Sequence, residues 1–254
     1  MLSHNQQKLI AALQVKKYRQ KYRKFVVEGE KMVGELLRQN RLSVSAIFGL
    51  ERWADEHAAR LAPFLEMFNL VNEAELKKIS SLHTPNQVLA IADRPETAPD
   101  LHLLTTARCF YLDGIQDPGN LGTILRVADW FGLPAVLCSP DCVDAFSPKV
   151  VQASMGAIFR IHTQEILLSE VAAQIPSLPL LGAVLGGDNV FTTPLPDFGL
   201  LVIGNEGRGL SMETVQLLTH RLTIPRHPNG QAESLNAAVA AGILAAMWQI
   251  NNKQ

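Results

Sequence analysis

Cysteine is scarce in this chain, three in 254 residues, and an odd, scattered set cannot staple a secreted disulfide scaffold. Cys109 lies inside an apolar run, and Cys138 and Cys142 follow another. The expectation is reduced core thiols in a cytoplasmic protein. A zinc site at Cys138 and Cys142 would need a second ligand pair, which the sequence does not supply, so no metal is expected. Long apolar runs are also missing: no segment approaches the ~18 uninterrupted apolar residues of a membrane span. The first residues, Met1 to Asn5, are polar, and no apolar stretch of signal-peptide type follows them. Excess charge of either sign is absent too. A net charge of −1 excludes a uniformly basic nucleic-acid coat protein but leaves room for a localised basic face. There is no internal repeat and no low-complexity segment.

What is present is an apolar fraction of 47%, ample for a packed core, arranged in two regions. Between them lies Asp93-Arg94-Pro95-Glu96-Thr97-Ala98-Pro99-Asp100, with two prolines and little that could be buried. Proline biases its predecessor toward extended backbone, so this stretch reads as a linker. The expected division is a domain over 1–93, a linker over 94–104 and a second domain over 105–254.

In the first region Leu9, Ile10 and Leu13 share one helical face. Phe25 to Val27 reads as a strand, and Glu28 to Gln39 as a helix with Met32, Val33, Leu36 and Leu37 on its apolar side. Strands are expected at Val44–Phe48, Phe68–Val71 and Val88–Ala92. The second region carries stronger strands at Cys109–Leu112, Ala135–Leu137, Leu180–Leu185, Leu200–Ile203 and Leu222–Ile224. Runs apolar at every position suit strands covered on both faces, as in a parallel sheet. A long alanine-rich helix is expected from about Ser234 to Ile250. The fold class is α/β.

Three loops in the second region follow strands and precede helices. The first, Asp113 to Gly119, leads into Asn120, placed where a helix N-cap is expected, with Gly122 and Arg126 four apart on one helix face. Helical side chains lean toward the N-terminus, so Arg126 reaches back beside Asn120. A capped helix with a surface arginine has the same pattern. The second loop is Gly204-Asn205-Glu206-Gly207-Arg208-Gly209. Glu206 would repel a phosphate, so a neutral or cationic ligand fits better, although three glycines also suit a plain tight turn. The third runs from Ile224-Pro225-Arg226 through Pro228-Asn229-Gly230 to Ser234-Leu235-Asn236. Ser234 alone reads as an ordinary N-cap. Asn236 is harder to explain, since asparagine adds no helix propensity to an alanine-rich start.

In this order the three loops resemble the three motifs of the SpoU/TrmH branch of the SPOUT RNA methyltransferases. The matching residues are Asn120 and Arg126, then Gly204 to Gly207, then Ile224-Pro225 with Ser234-Leu235-Asn236. A further stretch, Ser147-Pro148-Lys149 through Ser154-Met155-Gly156-Ala157, resembles the family's segment between its first two motifs. The likeness covers roughly residues 105 to 250. The first region is more weakly similar to a ribosomal-protein-like RNA-recognition domain, through Lys24 to Gly29 and the strand after Thr84-Pro85. The resemblance implies a parallel-sheet catalytic domain with a trefoil knot, a homodimer, and S-adenosylmethionine as cofactor. The implied reaction is methylation of a ribose 2′-hydroxyl in structured RNA, ribosomal RNA favoured over transfer RNA. It further implies a cofactor cradle at Leu185, Gly186, Gly204, Asn205, Ile224, Pro225 and Leu235. The implied reacting centre comprises Arg126, Asn120, Glu206, Ser234 and Asn236. The third loop departs from the family pattern: it is longer, and Arg226 stands where an apolar residue is usual.

The basic cluster Lys16, Lys17, Arg19, Lys21, Arg23 and Lys24, with Tyr18 and Tyr22 interleaved, is the candidate RNA contact. Charges there would neutralise phosphates and rings would stack on bases, though a solvated helix end looks the same. Two rival readings have different requirements. A non-catalytic RNA-binding or ribosome-assembly factor could dispense with Asn120, Arg126, Glu206, Ser234 and Asn236. A nucleotide-dependent oxidoreductase would need an early glycine fingerprint followed by an acid, which the chain lacks.

Overall fold

The computed structural model of the chain describes residues 2–250 apart from 40, 83, 85 and 96–99. Part of the expected linker, and Pro85 of the Thr84-Pro85 pair, therefore lie outside the described residues. In chain order the elements are α1 (His4–Ala12), α2 (Lys16–Tyr22), β1 (Lys24–Glu28), α3 (Glu30–Leu36), β2 (Val44–Gly49), α4 (Glu51–Glu56), α5 (Ala58–Leu61), β3 (Phe68–Leu70), α6 (Glu73–Ile79) and β4 (Val88–Asp93). Next come β5 (Arg108–Asp113), α7 (Pro118–Phe131), β6 (Ala135–Cys138), α8 (Pro148–Ala153), β7 (His162–Glu165) and α9 (Leu168–Gln174). The last are β8 (Leu180–Asn189), β9 (Gly199–Gly204), α10 (Met212–Leu217), β10 (His220–Thr223) and α11 (Ala237–Ile250).

The chain forms two compact units, one of Met1–Thr97 with Asp144–Arg160 and the other of Ala98–Val143 with Ile161–Gln254. The first unit is built on a four-stranded sheet of order β1-β4-β2-β3, with β4 antiparallel to both neighbours and β3 parallel to β2. Ile10, Leu13, Val26, Phe48, Leu76, Leu89 and Ile91 form one core cluster, so the apolar face of α1 is buried as its spacing predicts. Ser3 with Gln6, and Asn72 with Glu75, make reciprocal capping boxes at the starts of α1 and α6. These satisfy amide donors that a helix start otherwise leaves open.

Asp144–Arg160 groups with this first unit although the sequence places it amid the second region. Phe146 packs its ring 4.9 Å from that of Phe25, with the Arg94 guanidinium 4.6 Å from its centroid. Asp144 accepts a 2.8 Å bond from Arg19 Nε. The proline-rich linker signal marks one boundary; a packed excursion of this kind carries no such punctuation.

The second unit is a six-stranded sheet of order β10-β8-β9-β5-β6-β7, with every pairing parallel. β6 is wholly buried, and so are β5 and β9 save for one end residue each, which is why those strands read as unbroken apolar runs. Cys109, Tyr111, Leu137, Val171, Leu180, Leu200 and Val202 pack together beneath one face. β7, sequence His-Thr-Gln-Glu, is a half-exposed edge strand, and its polarity hides it from an apolar-run reading. β8 continues past Leu185 to Asn189, and β10 starts at His220 and ends before Ile224. Among the described residues no helix is long and apolar enough to cross a membrane, and no His/Cys/Asp/Glu cluster suits a metal. All three cysteines are buried, and none is in a disulfide. Burial pushes the Cys109 thiol up to about 12.

Candidate active site

Within the second unit, the parallel strands β5 and β9 lie side by side, with Asp113 opposite Gly204. Their carboxyl ends open into the first two loops, the position where ligands bind in open α/β sheets. Gly114 turns the chain at φ +71°, a conformation that costs glycine little. The buried Asp113 carboxylate accepts from the Ser211 amide at 2.7 Å, and Asn205 Nδ2 donates to the Gly114 carbonyl at 2.8 Å. Two side chains thus lock one loop to the other.

Helix α7 starts with an acid–proline pair. Asp117 is its N-cap, accepting from the Asn120 amide at 2.8 Å, and Pro118 takes the first helical position. The expectation that Asn120 caps this helix is therefore corrected. Because Asp117 does the capping, the Asn120 side chain is left for other partners. Its Nδ2 donates to Glu206 Oε1 at 2.6 Å, and its Oδ1 accepts from Asn236 Nδ2 at 2.8 Å. Residues 86 and 116 positions away in sequence thereby meet at one amide.

Asn236 has a second role. Its Oδ1 accepts from the amides of Ala238 and Val239, at 2.9 and 3.2 Å, so it caps α11. The helix begins at Ala237, and Ser234 lies in the preceding loop instead of at the cap. Asparagine stands there because a cap needs a short acceptor, a reason unrelated to interior propensity. Arg126, on α7, and Ser234 are exposed and stand outside the hydrogen-bonded trio.

In the second loop Asn205 organises the backbone. It exchanges main-chain bonds with Gly209, and its Oδ1 accepts from the amides of Gly207 and Arg208. Gly204 is required by close approach: a Cβ there would sit 2.4 Å from the Gly209 carbonyl carbon. The third loop folds on itself, with Arg226 Nη1 donating to the Ala232 carbonyl at 3.1 Å and the Gly230 amide to that of His227 at 2.8 Å. Arg226 thus serves the longer loop as an internal brace. Of the implied cradle, Leu185 and Leu235 are 83% and 47% exposed, Gly186 is open around its Cα, and Pro225 is exposed while Ile224 is half-buried.

Sequence reading missed Asp113, Asp117, Ser211 and Ser139, whose Oγ accepts from the Gly114 amide at 2.9 Å. Asp117 was recoverable, since an acid before proline marks a helix start. The others act through loop contacts that leave no periodic trace. Nearby, Cys142 donates to the Leu112 carbonyl at 3.3 Å, and its thiol is lowered to about 7, chiefly through a hydrogen bond with Cys138.

The basic cluster belongs to the first unit. Lys17, Lys21 and Arg23 are exposed. Tyr18 and Tyr22 stack with centroids 6.1 Å apart, and Lys21 Nζ lies 5.5 Å from the Tyr22 ring centre. Arg19 does not join them. It is 3% exposed, bonded to Asp144 and to the Leu13 carbonyl, so its expected RNA contact is corrected to an internal ion pair. Lys24 is tied to Asp93 and Ser45.

Residues 107–246 match the SpoU rRNA Methylase family, and residues 5–90 match an MRM3-like substrate binding domain. The chain is 32% identical over 238 residues to the 23S rRNA (guanosine(2553)-2′-O)-methyltransferase RlmP of Bacillus subtilis, covering 91% of each chain. Several further curated relatives are longer, and the chain spans 35% to 64% of them. Among solved structures, a TrmH-family protein from Porphyromonas gingivalis superimposes with TM-score 0.85 at 39% identity, covering 98% of each chain. An AdoMet-bound rRNA methyltransferase from Sinorhizobium meliloti does so at 0.85 and 26%, covering 100% of this chain and 97% of that one. The match over residues 107–246 and the 32% identity across 91% of each chain place this chain in the SpoU rRNA methylase family.

Proposed function

We propose that this chain methylates a ribose 2′-hydroxyl of ribosomal RNA, with S-adenosylmethionine as methyl donor. The observation that carries the reading is the bond chain Asn236–Asn120–Glu206, which gathers all three motif loops at one point. The residues present suit such a cofactor. Leu185 and Leu235 offer exposed apolar surface, Gly186 leaves the backbone open to approach, and Glu206 is an acid that favours a cation and disfavours a phosphate. Leu185, Gly186, Gly204, Asn205, Ile224, Pro225 and Leu235 would hold it. When bound, it supplies a methyl group on a sulfonium sulphur.

The chain's residues then have to align the ribose oxygen and remove its proton. Alignment alone supplies much of such a rate. Asn120 holds Glu206 on one side and Asn236 on the other, so the polar groups are set before substrate arrives. Arg126, exposed on α7, offers a planar fork of donors suited to phosphate oxygens. It grips the neighbouring phosphate and stabilises the developing alkoxide. Glu206 takes the hydroxyl proton. The exposed Lys17, Lys21 and Arg23, with Tyr18 and Tyr22, bind the RNA.

The molecule works as a homodimer in this reading. α7 and α11 pack on one another and leave Trp130 84% exposed, with Val239 and Ile250 also uncovered, and large apolar residues so placed suit a self-complementary contact.

The test is transfer of isotopically labelled methyl from S-adenosylmethionine to deproteinised ribosomal RNA, followed by digestion to nucleosides. Label in a 2′-O-methylnucleoside is expected. Label in a base, or none in RNA, would reject the assignment.

A further inference from the structure

The first unit carries a second concentration of positive charge that neither the motifs nor the basic cluster explains. It is assembled from α3, the segment after it, α5 and the Asp144–Arg160 excursion. Glu35 is ion-paired on one side with Arg38 and on the other with Arg160, the latter at 3.1 Å. Arg41 Nη1 donates to the Arg160 carbonyl at 2.9 Å. The Arg60 guanidinium lies over Gly34, with Nη1 3.1 Å from where a Cβ would sit. Two guanidiniums, of Arg38 and Arg160, thus share the Glu35 carboxylate, with Arg41 bonded to the Arg160 backbone and Arg60 beside Gly34.

The turn that precedes Arg160 is tightly constrained. Met155 and Gly156 both adopt positive φ, +50° and +94°, and a Cβ at Gly156 would meet the Glu35 stem at 3.2 Å. Arg41 is only partly satisfied. Its Nε and Nη2 are buried without a hydrogen-bond partner among the described residues, and burial lowers its pKa from the ordinary arginine value. An incompletely paired charge in low dielectric costs free energy and projects a weakly screened field onto the adjacent surface. Arg38 and Arg160 stand on that surface, with side chains 57% and 42% exposed.

We infer that Arg38 and Arg160, backed by Arg41 and Arg60, form a phosphate-binding site for the backbone of the substrate RNA, separate from the Lys17–Arg23 cluster. The inference rests on the RNA-methylating function proposed above. Arginine is suited to the task, because its planar fork grips phosphate oxygens in pairs. Glu35 holds the two exposed forks in place before RNA arrives and is itself the brake on affinity. A purely structural network would not need exposed ends.

The opposite-sign pair Arg38→Gln with Arg160→Gln, and Glu35→Gln, provides the test. Glutamine at position 35 keeps the stem that packs on Gly156. Binding of deproteinised ribosomal RNA is measured by filter retention over a salt series, with S-adenosylhomocysteine calorimetry as a check that the second unit is intact. The double arginine variant should bind RNA on the order of tenfold more weakly and lose about one unit of salt slope per arginine. E35Q should bind more tightly, with a slope at least as steep, and cofactor affinity should hold in both. An unchanged slope in the double variant, or weaker binding by E35Q, would overturn this site while leaving the methylation assignment standing. If the unaltered chain transfers no methyl to RNA, both readings fall together.

Discussion

In the proposed reaction Arg126 supplies an exposed cation and Asn120 a fixed amide. Arg126→Ala should abolish methyl transfer while S-adenosylhomocysteine affinity, read by calorimetry, stays within about twofold, since the proposed cradle lies on other loops. Arg126→Lys should also be poor, because lysine cannot make the two-pronged phosphate contact. Comparable loss of cofactor affinity in the alanine variant would reject this division. Asn120→Asp sets a carboxylate where the amide donates to Glu206 at 2.6 Å. A carboxylate there cannot donate to Glu206 and repels it, so the Asn236–Asn120–Glu206 chain breaks at its centre. Methyl transfer by this variant should fall on the order of tenfold or more, and activity within about twofold of the unaltered chain would contradict the role. These residues were legible as motif members. Their geometry was not: Asp117, not Asn120, caps α7, and the cap of α11 is Asn236, because which of several short polar residues bonds the open amides depends on the turn before it.

At the scale of elements, Gly204→Ala should disrupt the β9–α10 loop, since its Cβ would meet the Gly209 backbone at 2.4 Å and no flexible side chain can yield there. Calorimetry should find cofactor binding lost with the sheet intact by circular dichroism; retained affinity would show the approach is not required. Arg19→Ala leaves Asp144 buried with its principal ion-pair partner gone, at a cost of about 3–5 kcal/mol, seen as a lowered denaturation midpoint. A stability unchanged within ~0.5 kcal/mol would mean the pair is dispensable. The strands of the second unit were readable because β5, β6 and β9 are covered on both faces and hence apolar throughout. β7 was not, being a polar edge, and α2 was read only as a run of charge. Arg19 looks in sequence like its exposed neighbours, because composition does not tell which basic side chain in a short helix turns inward.

For the whole molecule, the division into two regions was visible in proline and charge, but Asp144–Arg160 joins the first unit through packing that no local pattern announces. A knot, which the family resemblance implies, leaves no mark on periodicity, being a property of the chain's path. Dimerisation makes a direct prediction: light scattering should give twice the chain mass of 27.9 kDa. Trp130→Glu should reduce it to one copy, and a dimer unaffected by that change would place the contact elsewhere. The proposed activity is tested most directly by mass-spectrometric mapping of ribose methylation in ribosomal RNA from cells lacking this gene, complemented with the unaltered chain or with Arg126→Ala. One 2′-O-methyl should vanish on deletion, return with the unaltered chain and stay absent with the variant. An unchanged ribose-methylation map, or full restoration by Arg126→Ala, would contradict it.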